Sequence, residues 1–294
     1  MAYKRYISLV HSLISKLVDT EIRELIQKGW SDFPSQIDGL RIVVQVEESE
    51  VSFPRESYDI ERGNQEASGV WANWRARKIL KVMKQNELKL LWEVGSGHGN
   101  VAIPLQREDM AVIGIEPLFS GAAITAKNGV RTYQGTLESL KLPSNSLYAI
   151  GVFDVLEHLE KPEVLLSEIY RTLKPGGVLL VSVPAHQWLF SDFDKSIGHY
   201  RRYSREVLSQ QLKESGFINT EMEFMFAIFI LPAFILRKLP SLFGSHGNSK
   251  KTIRSCSNQS KVINFLEPIL LPFLYLERQI RLPFGLSLFS ISRK

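Results

Sequence analysis

The chain has 294 residues, 44% of them hydrophobic and 23% charged, enough to bury a sizeable core. Its one cysteine, Cys256, rules out an intrachain disulfide and a cysteine zinc site and suits a reducing cytoplasm. A net charge of +5 allows an acidic substrate or an anionic membrane surface but is too mild to argue for nucleic acid.

Residues Tyr6 to Ile26 carry Leu9, Val10, Leu13, Ile14, Leu17 and Val18 at helical spacing, which predicts an amphipathic helix docked on its own core. His11, Ser12, Ser15 and Lys16 interrupt any signal-peptide core behind Met1–Tyr6, and no apolar run reaches the roughly 18 residues of a membrane span. Ile42 to Val46 reads as a short strand, followed by a solvated acidic loop at Glu47–Glu50. Trp71 to Met83 returns to helix, with Ile79, Leu80 and Met83 on its packing face.

Leu90 to Val94 has the apolar run of a strand covered on both faces. Gly95, Gly97 and Gly99 then let the backbone turn tightly and approach a ligand. Val101, Ile103 and Leu105 open a helix in which Pro104 is tolerable only near the start. A dinucleotide fingerprint would place a third glycine where Asn100 stands. No Lys-Ser/Thr follows the glycines, so a phosphate-binding P-loop is excluded. The next strand, Ala111–Ile115, ends at Glu116, about 20 residues past the turn, where a carboxylate can take both hydroxyls of a ribose.

A helix over Ala122–Lys127 and a strand over Val130–Tyr133 lead into the turn Gly135-Thr136-Leu137-Glu138. Leu147–Phe153 is nearly all apolar and therefore a central strand, and its end delivers Asp154, Glu157 and His158. A helix over Val164–Leu173 stops at Pro175-Gly176-Gly177, before a strand over Val178–Val183. A long aromatic loop, 185–204, follows, of a kind that closes over substrates. Ser204 caps a helix to Ser215, and Ile218–Phe226 and Gly285–Ile291 read as the last two strands.

Between those strands lies an insertion of about sixty residues. It opens on thirteen apolar residues, Phe224–Leu236, and Phe224 to Leu266 contains no acid. Arg237, Lys238, Lys250, Lys251, Arg254 and Lys261 all fall within it. Two readings stay open: an anionic membrane surface, or a helical cap over the site with a solvated basic loop.

Four motifs in order resemble class I S-adenosylmethionine-dependent methyltransferases: Glu93–Gly99, Ile113–Glu116, Phe153–Leu159 and Leu173–Gly177. The resemblance covers Trp71 to Phe217 and the terminal strand, and is similar to the quinone-biosynthesis members. It implies an α/β, doubly wound Rossmann-like, seven-stranded mixed sheet with an N-terminal helical extension (1–70), a core (71–223), an inserted helical cap (224–283) and a terminal strand (284–294). It implies S-adenosyl-L-methionine as cofactor, held by Glu93, Gly95, Ser96, Gly97, Gly99, Glu116, Thr136, Leu137, Phe153 and Asp154. The family has an acid for the adenine amino group where Thr136 stands, so that contact must come from a hydroxyl, backbone or Glu138. The family also places an aromatic and a basic residue against the methionine carboxylate; Trp74, Arg75 and Arg77 either do this or cover the sheet edge.

Methyl transfer from a sulfonium is an in-line displacement that needs orientation and, for an oxygen nucleophile, a base. His158 and His199 are the candidates. The alternatives are that His158 orients a helix start and that His199 pairs with Asp192 or Asp194. Glu157-His158 resembles a metal-binding pair of some relatives, but two ligands make no site, and no metal is assigned. Arg201, Arg202 and Tyr203 are the candidate acceptor contacts, against a surface ion pair.

The expected activity is methylation of an oxygen on a small or lipid-linked acceptor, such as a prenyl quinone precursor or a polyprenyl-carried saccharide. The rivals are a soluble secondary-metabolite enzyme and a non-catalytic scaffold of the same fold. No Asn-Pro-Pro-Tyr-type motif follows the central strand, which argues against base nitrogen methylation, and the charge is not gathered into a stripe, so no nucleic-acid partner is expected. The expected location is cytoplasmic, peripheral at the inner membrane face if the acceptor is lipid-linked.

Overall fold

The computed structural model describes residues 2–28, 42–44, 70–242, 272–273, 276–277, 280 and 282–294. The strands in chain order are β1 (Ile42–Val44), β2 (Leu90–Val94), β3 (Ala111–Glu116), β4 (Arg131–Gln134), β5 (Leu147–Phe153), β6 (Leu173–Pro184), β7 (Ile218–Met225) and β8 (Ser287–Arg293). They lie side by side as β1-β4-β3-β2-β5-β6-β8-β7. Every pair is parallel except those of β8, which runs antiparallel to both β6 and β7. The seven-stranded mixed core is as expected, and β1 adds an eighth strand beside β4. The chain builds outward from β2 through β3 and β4, then returns to lay β5 on the other side of β2. Ligands of such sheets bind beyond the strand ends at this reversal.

Period-two alternation sends β2 side chains into two separate layers. Leu90, Trp92 and Val94 join Val18, Ile22 and Leu25 of helix α1 (Ala2–Gln27). Leu91 joins Ala76, Ile79 and Met83 of helix α2 (Val70–Gln85). Val18, Ile22 and Leu25 are each almost fully buried, whereas Leu13, which the helical spacing places on the packing face, is 57% exposed. Each such burial is worth about 1.5–3 kcal/mol, which docks α1 on the sheet.

The other helices are α3 (Ala102–Arg107), α4 (Phe119–Lys127), α5 (Pro162–Thr172), α6 (Asp192–Ser196) and α7 (Arg205–Glu214). Pro104 sits in the first turn of α3, where its missing N–H has no intrahelical partner to lose. The helix stop expected at Pro175 comes earlier, at Thr172, and β6 starts at once. Leu147 pairs with Leu173 and Ala149 with Val178, so 174–177 swell out of the ladder as a bulge.

Phe226 follows β7 in the left-handed region (φ 66°) and turns the chain into a helical run. That run comprises a 3-10 turn at Ala227–Phe229, α-helical Ile230–Ala233, a π turn at Phe234–Lys238 and α-helical Leu239–Leu242. Pro232 and Pro240 each remove a backbone donor, and the π turn lies between them. Phe226, Phe229 and Ala233 face the core, while Leu231, Ile235, Leu236 and Leu242 are exposed. No helix among the described residues is long and apolar enough to cross a membrane. The acidic loop 47–50 and the basic positions 250–261 lie outside the described residues.

Candidate active site

The glycine turn leaves β2 at the reversal point. Gly95, Gly97 and Gly99 all have positive φ (74°, 52° and 78°). The Gly95 and Ser96 N–H groups donate to Ile115 O at 2.8 and 3.1 Å, which ties the turn to β3. Gly97 N donates to Glu116 Oε2 (2.8 Å) and Leu118 N to Glu116 Oε1 (3.0 Å). The Glu116 carboxylate is thereby fixed in place before any ligand arrives. A Cβ on Gly95 would lie 2.4 Å from Val155 Cγ2, whereas a Cβ on Gly97 meets nothing within 4 Å. The space above Gly97 is therefore open beside a preset carboxylate, which fits a ribose-bearing cofactor.

The two glycines should respond differently to substitution. Gly97→Asn should keep the fold, because Asn tolerates left-handed backbone, but should abolish cofactor binding by filling the open space. Gly95→Ala should lower stability by about 1–3 kcal/mol through strain and overlap with Val155. Urea unfolding and calorimetric titration separate the two outcomes.

Buried charge gathers beneath the turn. Arg75 of α2 is 6% exposed and its Nη2 lies 2.6 Å from Asp154 Oδ2. Asp154 has φ 55° at the end of β5, and it is held there by Ser182, whose O accepts its N–H (2.8 Å) and whose Oγ donates to Oδ1 (3.3 Å). Glu93 is 2% exposed, and burial, partly offset by Arg75, pushes its carboxyl up to about 8. Of the residues preceding β2, Arg75 thus turns into the site, Arg77 is exposed, and Trp74 packs on Phe226 with centroids 4.8 Å apart. Arg75 shares the buried face of α2 with Ala72, Ala76 and Ile79, a signal already present in the helical spacing.

Glu93 gives a pH prediction. A carboxyl raised from 4.5 to about 8 holds its proton longer in the folded state than in the unfolded state. Its contribution is therefore present below pH 4.5 and is lost as pH rises through about 8. Glu93→Gln should flatten the decline in stability across that window, measured by urea midpoints.

Thr136 caps its own turn: Thr136 N donates to Ser139 Oγ (3.0 Å) and Ser139 N to Thr136 Oγ1 (3.2 Å). Leu137 and Phe153 are buried in the apolar layers, and Ser96 is buried where its Oγ would meet a Cβ on Gly114.

The second half of the site follows β5. Leu156–His158 forms a 3-10 turn, and Tyr200 N of the aromatic loop donates to Glu157 O at 2.8 Å. This brings the His158 and His199 rings edge to face, with centroids 4.5 Å apart. His199 Nδ1 lies 3.2 Å from Asp194 Oδ1, and Nε2 lies 3.9 Å from Glu157 Oε1. Asp194 also closes the capping box of α6, accepting from Ser191 N and Oγ at 2.9 Å. Arg202 forks onto Asp194 with Nε at 2.8 Å and Nη2 at 2.7 Å. Burial opposes charge on Asp194, but the His199 hydrogen bond and Arg202 outweigh it and hold the carboxyl at about 2. Burial first, then His199, pushes His158 down to about 3. Burial and neighbouring Asp154 hold Glu157 well above the usual carboxylate range. At neutral pH His158 is therefore uncharged, and Asp194 is an anion that fixes the His199 ring.

Glu157, His158 and His199 each offer one ligand atom, and the three atoms lie within 4.8 Å of one another. A mixed carboxylate–imidazole set of this kind can hold a transition-metal ion.

Arg202 and Tyr203, expected to meet an acceptor, face inward instead. Arg202 is 7% exposed in its fork with Asp194. Tyr203 is fully buried, donates its hydroxyl to Leu156 O (3.2 Å) and bridges its backbone to Ala185. That bridge to the end of β6 is what turns the Arg-Arg-Tyr stretch inward. Arg201 alone of the three keeps a partly exposed side chain, donating to Glu160 O at 2.8 Å. Of the two acids the sequence offered to His199, Asp194 is the partner; its fork with Arg202 and its place in the Ser191-x-x-Asp194 capping box are set by the fold. Arg202→Ala should cost about 3–5 kcal/mol of stability, because it strands a buried carboxylate. An acceptor contact would instead raise an acceptor KM and leave the unfolding midpoint in place.

The methyltransferase-domain family matches residues 68–222. A probable S-adenosylmethionine-dependent methyltransferase of Mycolicibacterium smegmatis is 30% identical over 131 residues, which are 42% of this chain and 50% of that protein. The ubiquinone biosynthesis O-methyltransferase of Rickettsia conorii is 31% identical over 104 residues, 33% of this chain and 35% of that protein. The sterol 24-C-methyltransferase of Yarrowia lipolytica is 32% identical over 95 residues, 29% of this chain and 25% of that protein. The chain thus spans half or less of the length of these relatives. The family match covers more than half of the 294 residues and contains both the glycine turn and Glu116, so the chain belongs to the methyltransferase-domain family, and residues 68–222 are an S-adenosylmethionine-dependent methyltransferase domain.

Proposed function

We propose that the chain transfers the methyl group of S-adenosylmethionine to an oxygen of a small or lipid-linked acceptor, with His199 as general base. The observation that carries this reading is the Asp194–His199 pair, with Nδ1 held at 3.2 Å by a fully buried carboxylate. An imidazole fixed at Nδ1 by an anion keeps Nε2 free to take a proton. With an acceptor hydroxyl placed beside it, His199 Nε2 would take the proton that the oxygen releases on methylation. Glu116 and the glycine turn would hold the ribose, and the Asp154 carboxylate, partly exposed, suits the cofactor's ammonium. When bound, the cofactor supplies a methyl group already activated by the sulfonium, so the chain's work is orientation and proton removal.

A metal-assisted variant is favoured by one observation, the clustering of Glu157, His158 and His199. A chelator test separates the two. With His199 as base, EDTA leaves turnover unchanged; loss on EDTA treatment, restored by a divalent ion, moves the role to a cation on those three residues.

The acceptor is proposed to be lipid-linked and reached at an anionic membrane surface, with the protein attached peripherally. Support comes from the exposed apolar face of 231–242 and from the absence of any acid between Phe224 and Leu266. Two relatives are named for ubiquinone biosynthesis and for a sterol. Flotation should recover the protein with phosphatidylglycerol vesicles and not with phosphatidylcholine vesicles. Equal recovery, or none, would sink the membrane part of the reading.

A further inference from the structure

The helical run that follows β7 is clamped to the loop that carries His199. Phe234, Arg237, Lys238 and Ser241 fall at helical spacing on one face and are half-buried, while Ile235, Leu236, Leu239 and Leu242 are exposed. Each of the four meets the loop. The Phe234 ring lies 6.1 Å from the Trp188 ring, centroid to centroid. The Arg237 guanidinium stands 4.1 Å over the Phe193 ring. Lys238 Nζ donates to Phe190 O (2.7 Å). Ser241 Oγ donates to Asp192 Oδ2 (3.0 Å) and accepts from Asp192 N (3.2 Å).

The grip falls on the segment that decides where the base points. Phe190, Asp192 and Phe193 surround the start of α6. Asp194, the next residue, holds His199 twice. Its carboxylate meets Nδ1 (3.2 Å), and its backbone O accepts from His199 N (2.9 Å). α6 has five residues, too few to keep a direction through its own hydrogen bonds. Asp194 is its only buried residue, and Arg202 anchors it there from within. A single anchor fixes a point but not an orientation. The contacts from the helical run supply the rest, and those of Lys238 and Ser241 are hydrogen bonds, which are directional where apolar burial is not.

We propose that Lys238 and Ser241 are positioning residues for the general base: they orient α6, and through Asp194 they aim His199 Nε2 at the acceptor oxygen. This deepens the methyltransferase reading above and rests on His199 as its base. A displacement of about 1 Å at a reacting group can cost about 100-fold in rate, so contacts that never touch the substrate can still govern turnover.

The test reads the His199 ring itself and needs no acceptor. The full chain is prepared with nitrogen-labelled histidine, and the His199 ring resonances are assigned by their loss in His199→Asn. A ring whose Nδ1–H is held by Asp194 shows two well-separated nitrogen resonances, whereas a ring that exchanges between tautomers averages them. Ser241→Ala and Lys238→Met should each draw the two resonances together. Each should also speed hydrogen exchange at the His199 amide roughly tenfold, the loss of about one hydrogen bond. Ser241→Thr, which keeps the hydroxyl, should restore both readouts. S-adenosylmethionine affinity, read by calorimetry, should stay unchanged in all three and shows that the variants are folded. Ring resonances unmoved in both Ser241→Ala and Lys238→Met overturn the proposal even if exchange is faster, because the contacts then only stabilise α6. Failure of Ser241→Thr to restore the ring, or loss of cofactor affinity alongside the ring change, marks a general loosening and also overturns it. The reading of His199 as base fails through a separate readout, an undiminished kcat in His199→Asn.

Discussion

Glu116→Ala lowers S-adenosylmethionine affinity by at least about 100-fold. Two charge-assisted hydrogen bonds to a ribose are each worth about 1.5–3 kcal/mol, and each 1.4 kcal/mol is about tenfold in affinity. The same carboxylate also holds Gly97 N and Leu118 N, so its loss releases the turn that shapes the cradle. Glu116→Gln keeps one good acceptor oxygen and the size of the side chain. It should lose roughly tenfold, the difference between a charged and a neutral acceptor. Calorimetric titration of both variants with the cofactor checks the ranking. Equal affinity in wild type and Glu116→Ala would remove Glu116 from the cofactor site.

His199→Asn lowers kcat by about 10²- to 10⁴-fold, the usual contribution of a positioned general base. Asn can still donate to Asp194, so the Asp194–Arg202 fork and the fold should survive. Cofactor affinity should be unaffected, which separates a lost base from a lost site. The loss of kcat should be large in His199→Asn and small in His158→Asn. His158, held down to about 3, stays neutral through the range in which a base must titrate. His158 also has a stability signature. Its contribution is present above its ordinary value of 6.5 and is lost as pH falls toward about 3. A His158→Asn variant that loses as much kcat as His199→Asn would exchange the two roles or point to the cation reading.

What the sequence discloses and what it hides divides along the range of the interactions. The strand, glycine turn and Glu116 are legible because one short segment carries the apolar run, the left-handed glycines and the acid at the next strand tip. Helix α1 is legible for the same reason, since its packing face repeats along the chain. Arg75 is half legible: helical spacing puts it on the buried face, but its partner Asp154 comes from another element far along the chain. The inward turn of Arg202 and Tyr203 is hidden, because a backbone bridge to Ala185 and a distant carboxylate decide it. Adjacent arginines look like surface until such a partner is known. The bulge at 174–177 is hidden too, since Pro-Gly-Gly marks a helix stop equally well whether a turn or a strand follows. His158 and His199 were both visible as bases. Only the fold brings their rings to 4.5 Å and gives one of them a buried anion.

The central claim is that residues 68–222 hold S-adenosylmethionine on the glycine turn and Glu116. Calorimetric titration of the folded wild-type chain with S-adenosylmethionine, and then with S-adenosylhomocysteine, tests it most directly. The account predicts one saturable site per chain for each ligand, with the second displacing the first. A folded chain that binds neither would contradict it.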